Sequence, residues 1–311
     1  MSITKLLNIK YPIFQGAMAQ ISKHQLAAAV SNAGGLGIIA SGGMSVEQLR
    51  DEVRQCKAKT DKPFAVNLML MMHNIPELID VLIEEGVKVV TTGAGTPKPY
   101  MPIFKQHGIK VIPVVPNVSI AKKMEELGAD ALVCEGSEAG GHIGDISTMA
   151  LVPQVTQAVK IPVLAAGGIG DGRGIAAAYA LGAQGIQAGT MFLVAEECPV
   201  PDNFKQFVIA ANDTATAVTG RKGGAPVRSI KNKMIETYIR LENENASRDE
   251  LEALTMGSAR KAAAGDMENG SIMAGQICGI LTQVKPAKQI IEEAFAQAKQ
   301  IAATLSNRFD F

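Results

Sequence analysis

The sequence predicts a (β/α)8 barrel with a small, mainly helical lobe inserted after the eighth strand. Three observations carry that reading. Eight short apolar runs recur along the first two thirds of the chain, as buried parallel strands covered by helices should. Amphipathic segments separate them, and several stop at a glycine: Glu85-Gly86, His107-Gly108, Leu127-Gly128 and Leu181-Gly182. The beat then ends after Leu193, and no ninth run follows. A doubly wound open sheet is the competing arrangement; the regular count of eight favours the barrel.

In chain order, the expected strands are 12–17, 35–41, 64–70, 87–92, 110–115, 131–135, 162–166 and 185–188. Expected helices fill the gaps at 23–32, 45–57, 76–85, 100–107, 119–127, 148–159 and 172–181. Beyond Pro199 and Pro201 the chain mixes helix with a polar, basic loop, TGRKGGAPVRSIKNK, and reads as helical over 233–264. It returns through SIMAGQICG to a closing amphipathic helix at 286–305. The expected division is a barrel of residues 1–198 and 280–311, and a cap lobe of 199–279. Such a lobe sits over the C-terminal ends of the strands, where barrel active sites form.

Composition narrows the function classes. Lys plus Arg and Asp plus Glu balance at 30 each, so no global field attracts nucleic acid or an anionic membrane. With no tryptophan and four tyrosines, stacking platforms for bases are not expected. The four cysteines, Cys56, Cys134, Cys198 and Cys278, are scattered without zinc spacing. They read as reduced thiols, and no metal is expected. The first ten residues are too short and polar for a signal segment, and no apolar run is long enough to span a bilayer. The expectation is a soluble, cytoplasmic protein.

His142 is the most informative single residue. It lies in ALVCEGSEAGGHIG, a glycine-rich loop directly after the sixth apolar run. Gly140, Gly141 and Gly144 let the backbone take conformations closed to other residues and let a ligand approach it. An imidazole there suits proton transfer or polarisation of a substrate; a histidine in a surface loop is the plain alternative. Two glycine clusters follow, AAGGIGDGRG after the seventh run and QAGTMF after the eighth. In barrels these two loops frequently form a phosphate site. Gly167, Gly168, Gly189 and Thr190 offer bare backbone and one hydroxyl; tight turns alone also explain glycines there. Gly16 to Met18 ends the first run with small residues, as if a flat ligand lay on the backbone. Asn67 interrupts FAVNLML, and its amide needs a partner, a heterocycle or a neighbouring strand. Glu135 ends the sixth run, free to accept ligand hydroxyls or to form an ion pair. Met69 to Met72 suit an adaptable acyl wall or plain core packing.

Together IFQGAM, AVNLML, VVTTGAG, EGSEAGGHIG, AAGGIGDGRG, QAGTMF and SIMAGQICG resemble the FMN-dependent enoyl-acyl-carrier-protein reductases of the FabK type, relatives of the nitronate monooxygenases. EGSEAGGHIG, VRSIKN and SIMAGQ resemble the reductase branch in particular. The resemblance implies an FMN phosphate on Gly167-Gly168 and Gly189-Thr190, and the flavin ring near Ala17, Met18 and Ala19 with Asn67 on its polar edge. It further implies Gln187, Glu135 and Gly141 around the ring or ribityl chain, and His142 facing the substrate. NADH or NADPH would reduce the flavin, which then passes hydride to the β-carbon of a trans-2-enoyl thioester. The basic cluster Arg221, Arg228 and Lys231 would take up the phosphates of a nicotinamide cofactor, a phosphopantetheine arm or the acidic face of a carrier protein; a solvated loop is the alternative. The implied partner is an enoyl-acyl-carrier protein, and a homodimer is among the states the sequence allows. A nitronate monooxygenase, with His142 as base, and a non-catalytic phosphate-ligand binder are the competing functions.

Overall fold

In a computed structural model, residues 2–305 and 307 are described. The strands are β1 (Ile13–Gln15), β2 (Gly37–Ala40), β3 (Phe64–Met69), β4 (Val89–Gly93), β5 (Lys110–Val115), β6 (Leu132–Glu135), β7 (Gly141–His142), β8 (Val163–Ala166), β9 (Gly185–Ala188), β10 (Thr216–Thr219) and β11 (Val227–Ile230). Eight of them form one parallel sheet in the order β1-β9-β8-β6-β5-β4-β3-β2. Two main-chain bonds close it: Gln15 N to Leu36 O at 3.0 Å and Leu36 N to Ile13 O at 2.9 Å. The (β/α)8 barrel expected from the apolar beat is therefore present.

Alternation along each strand decides what faces the barrel axis. Phe14, Leu36, Ile38, Ala65, Val89, Ile112, Val133 and Leu164 pack into one interior cluster. Helix α1 (Ile3–Leu7) adds Ile3 and Leu7 to that cluster, an element the sequence reading did not foresee because five residues carry too little periodicity. The barrel helices are α2 (His24–Asn32), α3 (Val46–Lys59), α4 (Ile75–Glu84), α5 (Met101–Gln106), α6 (Val118–Glu126), α7 (Thr148–Ala158) and α8 (Gly172–Ala180). Their ends fall within two residues of expectation. Local chemistry sets them: Ser45 and Gln48 form a reciprocal capping box at α3, and Asp171 caps α8.

The chain continues through α9 (Thr190–Leu193), α10 (Asp202–Ile209), α11 (Lys233–Asn243), α12 (Arg248–Thr255) and α13 (Ser258–Ala263). A short 3-10 turn at Gln276–Ile280 leads to α14 (Ala287–Leu305). That last helix lies so close on α8 that a Cβ at Gly172 would come 2.5 Å from the Ala294 carbonyl.

One expectation needs correction. The basic stretch read as a loop holds an antiparallel hairpin, β10–β11, and β7 adds to its free edge with Val227 opposite His142 and Arg228 opposite Gly141. Thr216 to Thr219 and Val227 to Ile230 favour strand by β-branching, a signal masked by the polar turn between them. The histidine loop is thus stitched to the cap by a ladder. Among the described residues no helix is long and apolar enough to cross a membrane.

Candidate active site

The cleft lies at the C-terminal ends of β1, β6, β8 and β9. Its walls are Gly16, Ala17 and Met18 after β1; Glu135 to Gly140 in part after β6; Ala166 to Ile169 after β8; Gln187 to Thr190 after β9; and Met273, Gly275 and Ile277 from the returning segment. Of the residues singled out in sequence, Ala17, Met18, Glu135, Gly167, Gly168, Gln187, Gly189 and Thr190 meet here.

The loops after β8 and β9 present donors without acceptors. Among the described residues, the amides of Gly167, Gly168, Gly189 and Thr190 donate to no protein group. Gly167, Gly168 and Gly189 are half-buried and Thr190 is buried, and free backbone donors grouped after two barrel strands suit an anionic ligand. Gly167 holds φ +95° and Gly168 φ +71°, a region that disfavours side chains. A Cβ on Gly167 would also sit 2.8 Å from the Gly136 carbonyl. The Thr190 hydroxyl accepts from Gly275 N at 2.9 Å, which leaves its proton to donate.

The opposite wall is built from side chains. Gln15 is wholly buried; its Nε2 donates to Ser22 Oγ at 2.8 Å and its Oε1 accepts from Ile38 N at 3.1 Å. Ser22 Oγ in turn accepts from Met18 N at 2.9 Å. This network fixes the Gly16–Met18 turn. A Cβ on Gly16 would lie 3.3 Å from Gln187 Cγ, a tight approach that the Gln187 side chain would have to ease. The Gln187 amide is 7% exposed and makes no hydrogen bond among the described residues. Glu135 likewise has no partner there, and its burial pushes the carboxyl up to about 7. Near neutral pH it can both donate and accept.

Four residues mattered that the sequence reading did not assign. Glu138 lines the cleft while its carboxylate accepts from Thr148 N at 2.9 Å, at the positive end of α7. Thr148 Oγ1 also reaches Gly167 O at 3.0 Å, tying that cap to the glycine loop. Met273 and Gly275 close the cleft, and a Cβ at Gly275 would lie 2.6 Å from Glu138 O. The fold threads SIMAGQ against EGSEAGG: Gln276 N donates to Glu138 O at 3.0 Å, and a Cβ at Gly140 would lie 2.6 Å from the Ala274 carbonyl carbon.

Other expected site residues stand outside the lining. His142 is exposed on β7, two residues beyond the cleft-lining Gly140. Gly141 is buried at φ +79° beside Met273. Ala19 is exposed past the β1 turn. Asn67 donates from Nδ2 to Thr91 Oγ1 at 3.0 Å, while its Oδ1 meets no donor among the described residues. Arg221 is exposed, 3.4 Å from Asp145, and Lys231 is exposed. Arg228 is buried and bonded to Ser137.

With that geometry, the comparisons with known proteins decide the family. The nitronate monooxygenase family model matches residues 1–79 and 73–297. The chain belongs to the nitronate monooxygenase family. Members of this family, FabK-type enzymes included, are FMN-dependent oxidoreductases. Among solved structures, the chain is 45% identical to FabK from Thermotoga maritima, over 99% of both chains, with a TM-score of 0.96. It is 28% identical to a nitroalkane oxidase from Streptomyces ansochromogenes, over 96% of this chain and 98% of that one, with a TM-score of 0.84. It is also 38% identical, over 85% of this chain and 74% of the relative, to the (3aS,4S,5R,7aS)-5-hydroxy-7a-methyl-1-oxo-octahydro-1H-indene-4-carboxyl-CoA dehydrogenase of Rhodococcus jostii.

Proposed function

We propose that this protein is an FMN-dependent enoyl-acyl-carrier-protein reductase of fatty-acid elongation, acting in the cytoplasm with NADH or NADPH. The observation that carries the reading is its likeness to FabK over 99% of both chains at 45% identity, against 28% for the nitroalkane oxidase. A relative whose name includes a carboxyl-CoA group also fits a thioester substrate.

The cleft suits FMN on its own chemistry. Unpaired amides of Gly167, Gly168, Gly189 and Thr190 match a phosphomonoester, as charge-assisted bonds from backbone donors. Ala17 and Met18 offer a thin wall for a flat ring. Gln187 and Glu135 present hydrogen-bonding groups to its polar edge and ribityl chain, and Asn67, outside the lining, keeps a free Oδ1 that would reach the ring only from β3. Bound there, the flavin supplies hydride transfer from the nicotinamide to the β-carbon of the enoyl thioester. His142 donates toward the thioester carbonyl, where enolate charge develops, and serves the proton that the α-carbon requires. The β7–β11 ladder, with Val227 opposite His142, fixes the backbone from which His142 would serve that step.

The test is an anaerobic titration. Purified yellow protein should bleach with NADH or NADPH and regain its colour on addition of crotonyl thioester. In His142→Ala, bleaching should stay within about threefold of normal while recolouring slows about a hundredfold, the scale of a general acid. Protein that does not bleach with either nicotinamide, but consumes oxygen with a nitronate, is the monooxygenase that the family description also allows. Protein that takes up no FMN is a binder of another phosphate ligand.

A further inference from the structure

The buried guanidinium of Arg228 has a job that a phosphate reader could not do. It is 8% exposed, on β11, with Gly141 as its neighbour across the ladder. Its Nε and Nη2 both donate to the Ser137 carbonyl, at 3.2 and 3.0 Å, and Nη1 donates to Thr216 Oγ1 at 3.1 Å. Three of its nitrogens are thus spent inside the protein. Ser137 begins the loop that carries Glu138 and Gly140 into the cleft and leads two residues on to the exposed His142. The same strand anchors the facing wall, since Ile230 N donates to Ile272 O at 2.9 Å and Ser229 Oγ lies 3.0 Å from Ser271 Oγ. One strand therefore registers both walls, and one side chain fastens that strand to the histidine loop from behind. A rigid planar fork is suited to this where a lysine is not.

We propose that Arg228 is a positioning residue for the substrate step, holding the 137–142 loop and hence His142 in register with the cap, and not a ligand for nicotinamide or carrier phosphates. The proposal rests on His142 serving the substrate step. Arg228→Lys keeps the charge without the fork, and Arg228→Met removes both.

Amide hydrogen exchange over 137–143 should quicken about tenfold in Arg228→Lys and more in Arg228→Met, with strands β2 to β5 unchanged. In single-turnover absorbance measurements, oxidation of the reduced protein by substrate should slow about tenfold in Arg228→Lys. Flavin reduction and the KM for the nicotinamide should stay within twofold. A raised nicotinamide KM with unchanged exchange at 137–143 would overturn the proposal in favour of phosphate binding, as would wild-type exchange and rates in Arg228→Lys. Should Arg228→Met fail to fold, Arg228→Lys decides alone. If the wild type consumes oxygen with a nitronate and its reduced form is not reoxidised by an enoyl thioester, the functional reading fails. The exchange data and the nitronate rate then still decide the role of Arg228.

Discussion

The two sides of the barrel mouth solve the problem of holding one ligand in opposite ways. After β8 and β9 the protein offers main chain: glycines at positive φ, amides with no acceptor, and a single hydroxyl. Around β1, β3 and β6 it offers side chains that are partly committed, with Asn67 bonded to Thr91 and Gln15 to Ser22. Glu135 makes no hydrogen bond among the described residues, and its carboxyl is raised by burial. Backbone donors fixed by strands need no reorganisation and cannot rotate away, so they suit an invariant, charged group. Committed side chains can re-aim one free atom at the more varied edge of a ring. The difference suggests that affinity resides on the glycine side and tuning on the other.

Breaking the glycine side should cost most. Gly168→Asp sets a carboxylate where the phosphate belongs, beside Glu138, whose Cβ lies 3.4 Å from the new Cβ. FMN affinity should fall at least about a hundredfold, roughly 2.7 kcal/mol, in a fluorescence-quenching titration, with the chain still folded by circular dichroism. Retained occupancy would place the phosphate elsewhere. Next comes Glu135. Its folded carboxyl titrates near 7 against an ordinary 4.5, so the folded state keeps a proton that the unfolded chain releases. Flavin-free protein should therefore be most stable below pH 4.5 on this account and lose on the order of 2 kcal/mol by pH 7. Glu135→Gln should flatten that slope in denaturant titrations; an unaltered slope assigns it to other groups. The smallest effect belongs to Asn67→Ala. It removes one acceptor from the ring side and leaves Thr91 unpaired, so FMN affinity should drop about fivefold and stability by about 1 kcal/mol. A loss as deep as that of Gly168→Asp would erase the distinction between the two sides.

The contrast also explains what could be read from sequence. The eight strands were legible because parallel strands buried on both faces are continuous apolar runs, and the helices because glycine stops and caps are local. Gly167, Gly168, Gly189 and Thr190 were legible for the same reason: a backbone cradle needs glycine wherever it sits. Glu138, Thr148, Met273 and Gly275 were not, since nothing local tells a carboxylate to cap α7 from within the cleft or threads 271–279 against 138–140. The β7–β11 ladder was hidden too, because a two-residue strand has no period. Its consequence is that Arg228, grouped by charge with Arg221 and Lys231, is buried while both of them are exposed.

The most direct test of the glycine cradle compares FMN with riboflavin, which lacks the phosphate, on the same flavin-free protein. FMN should bind at least about a hundredfold more tightly to the wild type, and the two should bind alike to Gly168→Asp. Equal affinities in the wild type would contradict the account, because the unpaired amides after β8 and β9 would then have no phosphate to hold.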